Sequence, residues 1–218
     1  MLIPTRKEVE KFCREFIRRE YPEGYTFRFV PELMPIRISI EQKKVYVNWH
    51  ILQETIKKWA ERGIDWKSML TAILQHEKGH IRTKLYEPVN VIAFGEVILG
   101  LEPGKVVAVL NAVMDWVIDE IYYKDKPGYR EVTLKDYRIA FEEYKRFSYR
   151  ERMEFFFDIY VVIASHLAEG IATEEEVRMH FPERVEFILR FAELLKGIRS
   201  EREITVKTLE GLRLYLEL

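Results

Sequence analysis

Apolar residues recur along the chain at two different spacings, and the change between them divides it. From Thr5 to Glu20, Val9, Phe12, Cys13, Phe16 and Ile17 return every three or four positions, the period of a helix with one buried face. Thr5 and Glu8 stand at capping-box spacing at its start, and Pro22 and Gly24 break the chain after it. The period then drops to two. Phe27 and Phe29 alternate with polar neighbours, as do Ile36, Ile38 and Ile40. After a turn at Glu41–Lys44 so do Val45, Val47 and Trp49. This predicts two or three short strands within Tyr25–Val30 and Ile36–Trp49, ending in a hairpin.

From His50 onward the helical period returns almost without interruption. Ile51–Arg62 is one predicted helix, closed by Gly63. Asp65 can cap a second from about Trp66 to Leu85, with Pro88 just beyond. Val89–Leu99 predicts a shorter apolar helix. Pro103–Gly104 opens a long one that runs to about Lys124, and Pro127–Gly128 is a turn. The remaining residues predict three or four more helices, among them Met153–Ala168 and Pro182–Lys196. The pattern is that of an α+β chain, predominantly helical, with a small N-terminal β-sheet. No repeat or low-complexity segment marks a boundary, so the turn at 127–128 is the natural division. It gives 1–126 as a metal-binding domain, for reasons given below, and 127–218 as a helical C-terminal subdomain.

Composition narrows the class. The chain has 218 residues, 48% hydrophobic and 33% charged, enough to build a core and too apolar for a disordered segment. Lys and Arg number 35 against 36 Asp and Glu, a formal net charge of −1, so no bulk positive charge points to nucleic acid. The single cysteine, Cys13, excludes a disulfide framework and a thiolate metal cage, which favours a reducing compartment and a cytoplasmic location. No apolar run has the length of a membrane span or of a signal peptide.

The candidate chemistry lies in the second long helix. His76-Glu77-Lys78-Gly79-His80 is an H-E-x-x-H motif. Residues four apart share a helix face, about 5–6 Å apart at Cβ, so His76 and His80 can chelate one ion. Two neutral imidazoles suit zinc, and Glu77 is placed to take a proton from a water on it. Leu70, Ile73, Leu74 and Ile81 flank the motif, as befits a partly buried helix. The competing reading is a solvated helix whose polar face carries these residues.

Leu74-Gln75-His76-Glu77-Lys78-Gly79-His80-Ile81 resembles the active-site helix of the zincin metallopeptidases. The order of helix, strands, active-site helix and later ligand helix extends that resemblance loosely over residues 5 to 124. Lys78 and Arg82 depart from it, being charged where the family generally has uncharged residues. The family draws a third ligand from a His six residues on, a Glu on a later helix, or an Asp. Position 86 is Tyr, which excludes the first.

On the helix after Gly104, Asn111, Asp115 and Asp119 are spaced four apart. At about 100° per residue, Asn111 and Asp115 border the apolar face, and Asp119 is expected further round toward solvent. Asp115-x-x-x-Asp119 resembles the Glu-x-x-x-Asp element of the Glu-liganded branch. The resemblance implies that Asp115 is the third metal ligand and that Asp119 supports His76 or His80 from behind, with Asn111 one turn earlier. Asp for Glu is a shorter arm. A charged helix edge with no metal is the plainer alternative, and Glu96, Glu87 and Glu120 are the other candidate ligands. Tyr122 and His166 are possible oxyanion stabilisers. His166 is equally readable as a core histidine, and Phe155, Phe156 and Phe157 are read as core.

The resulting expectation is a Zn2+-dependent hydrolase. In it Glu77 is the general base, a peptide or protein is the substrate, and the strand Val45–Trp49 is an edge that an extended peptide can join. Two alternatives remain: a catalytically inactive metal-binding helical protein that engages a partner, and a helical interaction module without metal.

Overall fold

A computed structural model describes residues 3–31, 34–88, 90–154 and 158–217. The expected Phe155–Phe157 core lies outside them, as does Val89. The chain divides into two compact units, both discontinuous. The first comprises residues 1–82 and 125–135, and the second comprises 83–124 and 136–218. The expected division at 126/127 falls inside the short segment that returns to the first unit.

The first unit is built on α1 (Arg6–Glu20), three strands, α2 (Trp49–Glu61) and most of α3 (Trp66–Thr83). The Thr5 capping box is present: its hydroxyl accepts from the Glu8 N–H, and the Glu8 carboxylate accepts from the Thr5 N–H at 2.7 Å. Val9, Cys13, Phe16 and Ile17 are the buried stripe of α1. Asn48 caps α2, and the Asp65 carboxylate accepts from the Ser68 N–H at 2.9 Å where α3 begins. Gly63, between these helices, has φ of +71°, a conformation that only a residue without Cβ adopts cheaply.

The strands are β1 (Thr26–Phe29), β2 (Ile36–Ser39) and β3 (Lys44–Val47), in the order β1-β3-β2. β2 and β3 form the expected antiparallel pair, with Ile38 opposite Val45. β1 joins β3 in parallel, with Phe27 opposite Val45. This corrects the expectation of a free edge at Val45–Trp49. β3 is central, both of its backbone edges are already bonded, and the sheet's outer strands are β1 and β2. Phe27, Ile36, Val45 and Val47 face the core, with Leu52, Ile56 and Trp59 of α2 and Leu70 and Leu74 of α3 also buried.

The second unit contains α4 (Val91–Ala93), α5 (Pro103–Trp116), most of α6 (Tyr129–Tyr144), α7 (Tyr149–Glu154), α8 (Ile159–Ala168), α9 (Glu174–His180), α10 (Val185–Lys196) and α11 (Ile204–Leu214). The predicted helix over 153–168 is thus α7 and α8 with undescribed residues between them. The core is formed by Val106, Val109 and Val113 of α5, Ile159 and Ile163 of α8, Phe187 and Phe191 of α10, and Leu212 of α11. Gly211 lets α11 approach closely: a Cβ there would stand 2.7 Å from the Phe191 ring and 2.9 Å from Val109. The predicted helix over 89–99 is instead one α-turn followed by a π-helical segment, Phe94–Ile98, with most of its side chains exposed. No helix among the described residues is long and apolar enough to cross a membrane.

Candidate metal centre

α3 carries the H-E-x-x-H residues in its last two turns. His76, Glu77 and His80 are all half-buried. The two imidazoles lie on one face, ring centroids 5.1 Å apart and planes at 77°. Two contacts within the first unit fix the opposite side of the helix. The Tyr21 hydroxyl, just past the end of α1, donates to the Leu74 carbonyl at 2.6 Å. Lys78 reaches Glu20, the last residue of α1, at 3.7 Å. Bonding to Arg19, with the Lys78 charge assisting, holds the Glu20 carboxyl below its ordinary range.

His76 has a further partner that no motif in the sequence announced. Its Nδ1 is 3.2 Å from the Tyr129 hydroxyl. Tyr129 is buried and opens α6 directly after the Pro127–Gly128 turn, where Gly128 has φ of +76°. The available signal was the turn itself, whose proline and glycine fix where the next side chain enters.

In the second unit, Asn111 and Asp115 are half-buried along α5. Asp119 departs from expectation: it is only 1% exposed and lies in the core rather than toward solvent. The reason is a change of helix type. From Val117 to Tyr122 the helix closes i to i+5, so each residue advances by less than 100° and Asp119 lags toward the apolar side. A buried carboxylate must be hydrogen-bonded, and the Tyr137 hydroxyl donates to Asp119 Oδ2 at 2.7 Å. Tyr122 ends the same π-helical turn, half-buried, its ring 6.4 Å from that of Tyr123.

His166 is also corrected. It is buried in α8, and the rings of Tyr137, Phe141 and Tyr144 stand within 5.7–6.0 Å of its own. Its Nδ1 has no hydrogen-bond partner among the described residues. Burial lowers its pKa to about 3, so the ring is neutral. This is a core histidine, and a side chain so enclosed is not placed to meet a substrate oxyanion.

Within the first unit, His76 and His80 offer a pair of imidazole ligands on one face of α3, and Asp115, the third ligand that the resemblance implies, belongs to the second unit. Two imidazoles and a carboxylate are the donor set of hydrolytic zinc sites, and also of two-His-one-carboxylate iron sites. The other candidate ligands, Glu96, Glu87 and Glu120, belong to the second unit as well. Glu96 is exposed, Glu87 pairs with Lys84 at 2.5 Å, and Glu120 pairs with Lys124 at 3.2 Å.

No known protein family, curated protein or solved structure matches this chain.

Proposed function

We propose that this protein is a zinc-dependent metallopeptidase. The observation that supports the reading is the pair of half-buried imidazoles, His76 and His80, on one face of α3 with ring centroids 5.1 Å apart, and Glu77 next to His76 on the same helix. Zinc is preferred over iron because a carboxylate beside the ligand pair suits hydrolysis and has no evident use in redox chemistry. Bound there, zinc would supply a water acidified to a pKa of about 7 and a positive charge for the developing oxyanion.

The chain's own residues account for the remaining steps. His76 and His80 would hold the ion, with Asp115 the third ligand that the resemblance implies. Glu77 takes the proton from the attacking water and delivers it to the departing amine, so the peptide C–N bond breaks as the new C–O bond is completed. An extended substrate that adds to the sheet pairs with β1 or β2, its outer strands.

A second reading is favoured by one observation. Leu85, Val97 and Ile98 are 81%, 77% and 67% exposed within a single stretch of the second unit, as on a surface that receives a partner. On that reading the protein binds metal but does not hydrolyse peptides.

Elemental analysis of the purified full chain, joined to an assay on an unstructured protein such as casein, separates the two. The wild type should carry about one zinc and cleave. Glu77→Gln should keep the zinc and lose hydrolysis by about 10²–10⁴-fold, and His80→Ala should lose the zinc. Cleavage that survives Glu77→Gln overturns the mechanism, and protein that stays metal-free in excess zinc overturns both readings.

A further inference from the structure

The turn at Pro127–Gly128 has a consequence for the ligand pair. It returns the chain to the first unit for residues 125–135, and the first helical residue after it, Tyr129, brings its hydroxyl to His76. The placement is built rather than incidental. Gly128 takes the left-handed conformation that the turn requires, the Tyr129 N–H donates to the Lys126 carbonyl at 3.1 Å, and the Thr133 hydroxyl donates to the Tyr129 carbonyl at 3.1 Å. The Tyr129 side chain is 2% exposed, so its hydroxyl has few positions to choose from.

A neutral imidazole carries one proton on one of two nitrogens, and only the other can bind a metal. Which nitrogen keeps the proton is set by the hydrogen bond that it makes. A tyrosine hydroxyl both accepts and donates, so it can take the Nδ1–H of His76 while its own proton goes elsewhere. That arrangement frees the Nε2 lone pair and fixes the plane of the ring.

We propose that Tyr129 is the positioning residue of the ligand pair: its hydroxyl accepts from Nδ1–H of His76, holding the tautomer that presents Nε2 to the metal. The inference rests on the metal-site reading above, and its prediction for the tautomer can be read in the metal-free protein. Tyr160 of α8 provides the internal control. Its hydroxyl engages Glu183, a residue with no part in the proposed site, so losing it should leave the His76 tautomer unchanged.

The experiment uses the full chain labelled with 15N-histidine. The metal-free protein is studied at about pH 8, where an ordinary histidine is neutral. Long-range proton–nitrogen spectra distinguish the two tautomers of His76, assigned by the signal lost in His76→Gln. The wild type should show Nδ1–H. Tyr129→Phe should shift His76 toward Nε2–H and raise the dissociation constant for zinc about 10- to 100-fold, whereas Tyr160→Phe should leave the tautomer as in the wild type. A wild-type His76 that is protonated on Nε2 overturns the inference without any variant, even should Tyr129→Phe fail to fold. So does zinc affinity unchanged in a folded Tyr129→Phe. A wild type that binds no zinc refutes the metal-site reading instead, which separates the two failures.

Discussion

Acid should destabilise this protein through the buried imidazole of His166. His166 is neutral when folded, because burial among Tyr137, Phe141 and Tyr144 lowers its pKa from 6.5 to about 3. In the unfolded chain the same ring takes up a proton near pH 6.5. The unfolded state therefore binds more protons below that pH, and stability falls as pH falls. The contribution is complete above about pH 6.5, is lost at about 1.4 kcal/mol per pH unit below it, and levels off near pH 3. Between pH 7.5 and 4.5 the loss from this group is about 3 kcal/mol. Carboxylates also respond to acid. Glu176, for example, is raised by burial but held down to about 2 by its bonds to Arg138 and Thr173. Their contribution is common to the wild type and to His166→Leu, a change of similar volume that carries no proton. Denaturant unfolding of both proteins at pH 7.5 and 4.5 isolates the imidazole, and the wild type should lose about 3 kcal/mol more than the variant. At pH 7.5 the variant should be as stable as the wild type or more so, because the unpartnered Nδ1 is gone. Equal losses in the two proteins would refute the assignment of a neutral buried ring.

Two further outcomes can be measured simply. Gly211→Ala should destabilise the second unit by about 1–2 kcal/mol in denaturant unfolding: the added Cβ meets the buried Phe191 ring at 2.7 Å, and overpacking of that kind outweighs the better helix propensity of alanine. Zinc at 100 times its dissociation constant should stabilise the wild type by about 2.7 kcal/mol, and a chelator should remove that gain. His80→Ala should show neither effect, as a zinc-dependent rise in its melting temperature would disprove.

The elements with clear periodicity were legible in the sequence. α1 with its capping box, α2, α3 and the β2–β3 pair follow from spacing and caps, because local bonds and a single buried face decide them. The parallel partner of β1 was not legible, since it depends on a crossover connection and not on any local pattern. Asp119 was misplaced for a sharper reason. A 100° wheel assumes i to i+4 closure throughout, and the wider turn at Val117–Tyr122 rotates the residue into the core. The same assumption failed at Phe94–Ile98. Within the candidate site, His76, Glu77 and His80 could be read from a four-residue spacing. Tyr129 could not, because a tyrosine among 12 carries no sign of which group its hydroxyl will meet.

The charge at Lys78, a departure from the zincin pattern, belongs to the outer face of α3 and not to its chelating face. Position 78 is two residues from His76, about 200° around the helix axis, so its side chain points away from the imidazoles. Glu20 meets it there, and the nearby Tyr21 hydroxyl donates to the carbonyl of Leu74. The ion pair is part-exposed and contributes less than about 1 kcal/mol. The buried hydroxyl-to-carbonyl bond is the stronger constraint on where α3 lies against the end of α1. A lysine at this position is therefore compatible with a hydrolytic site on the opposite face. It marks how this chain anchors its motif helix against the end of α1.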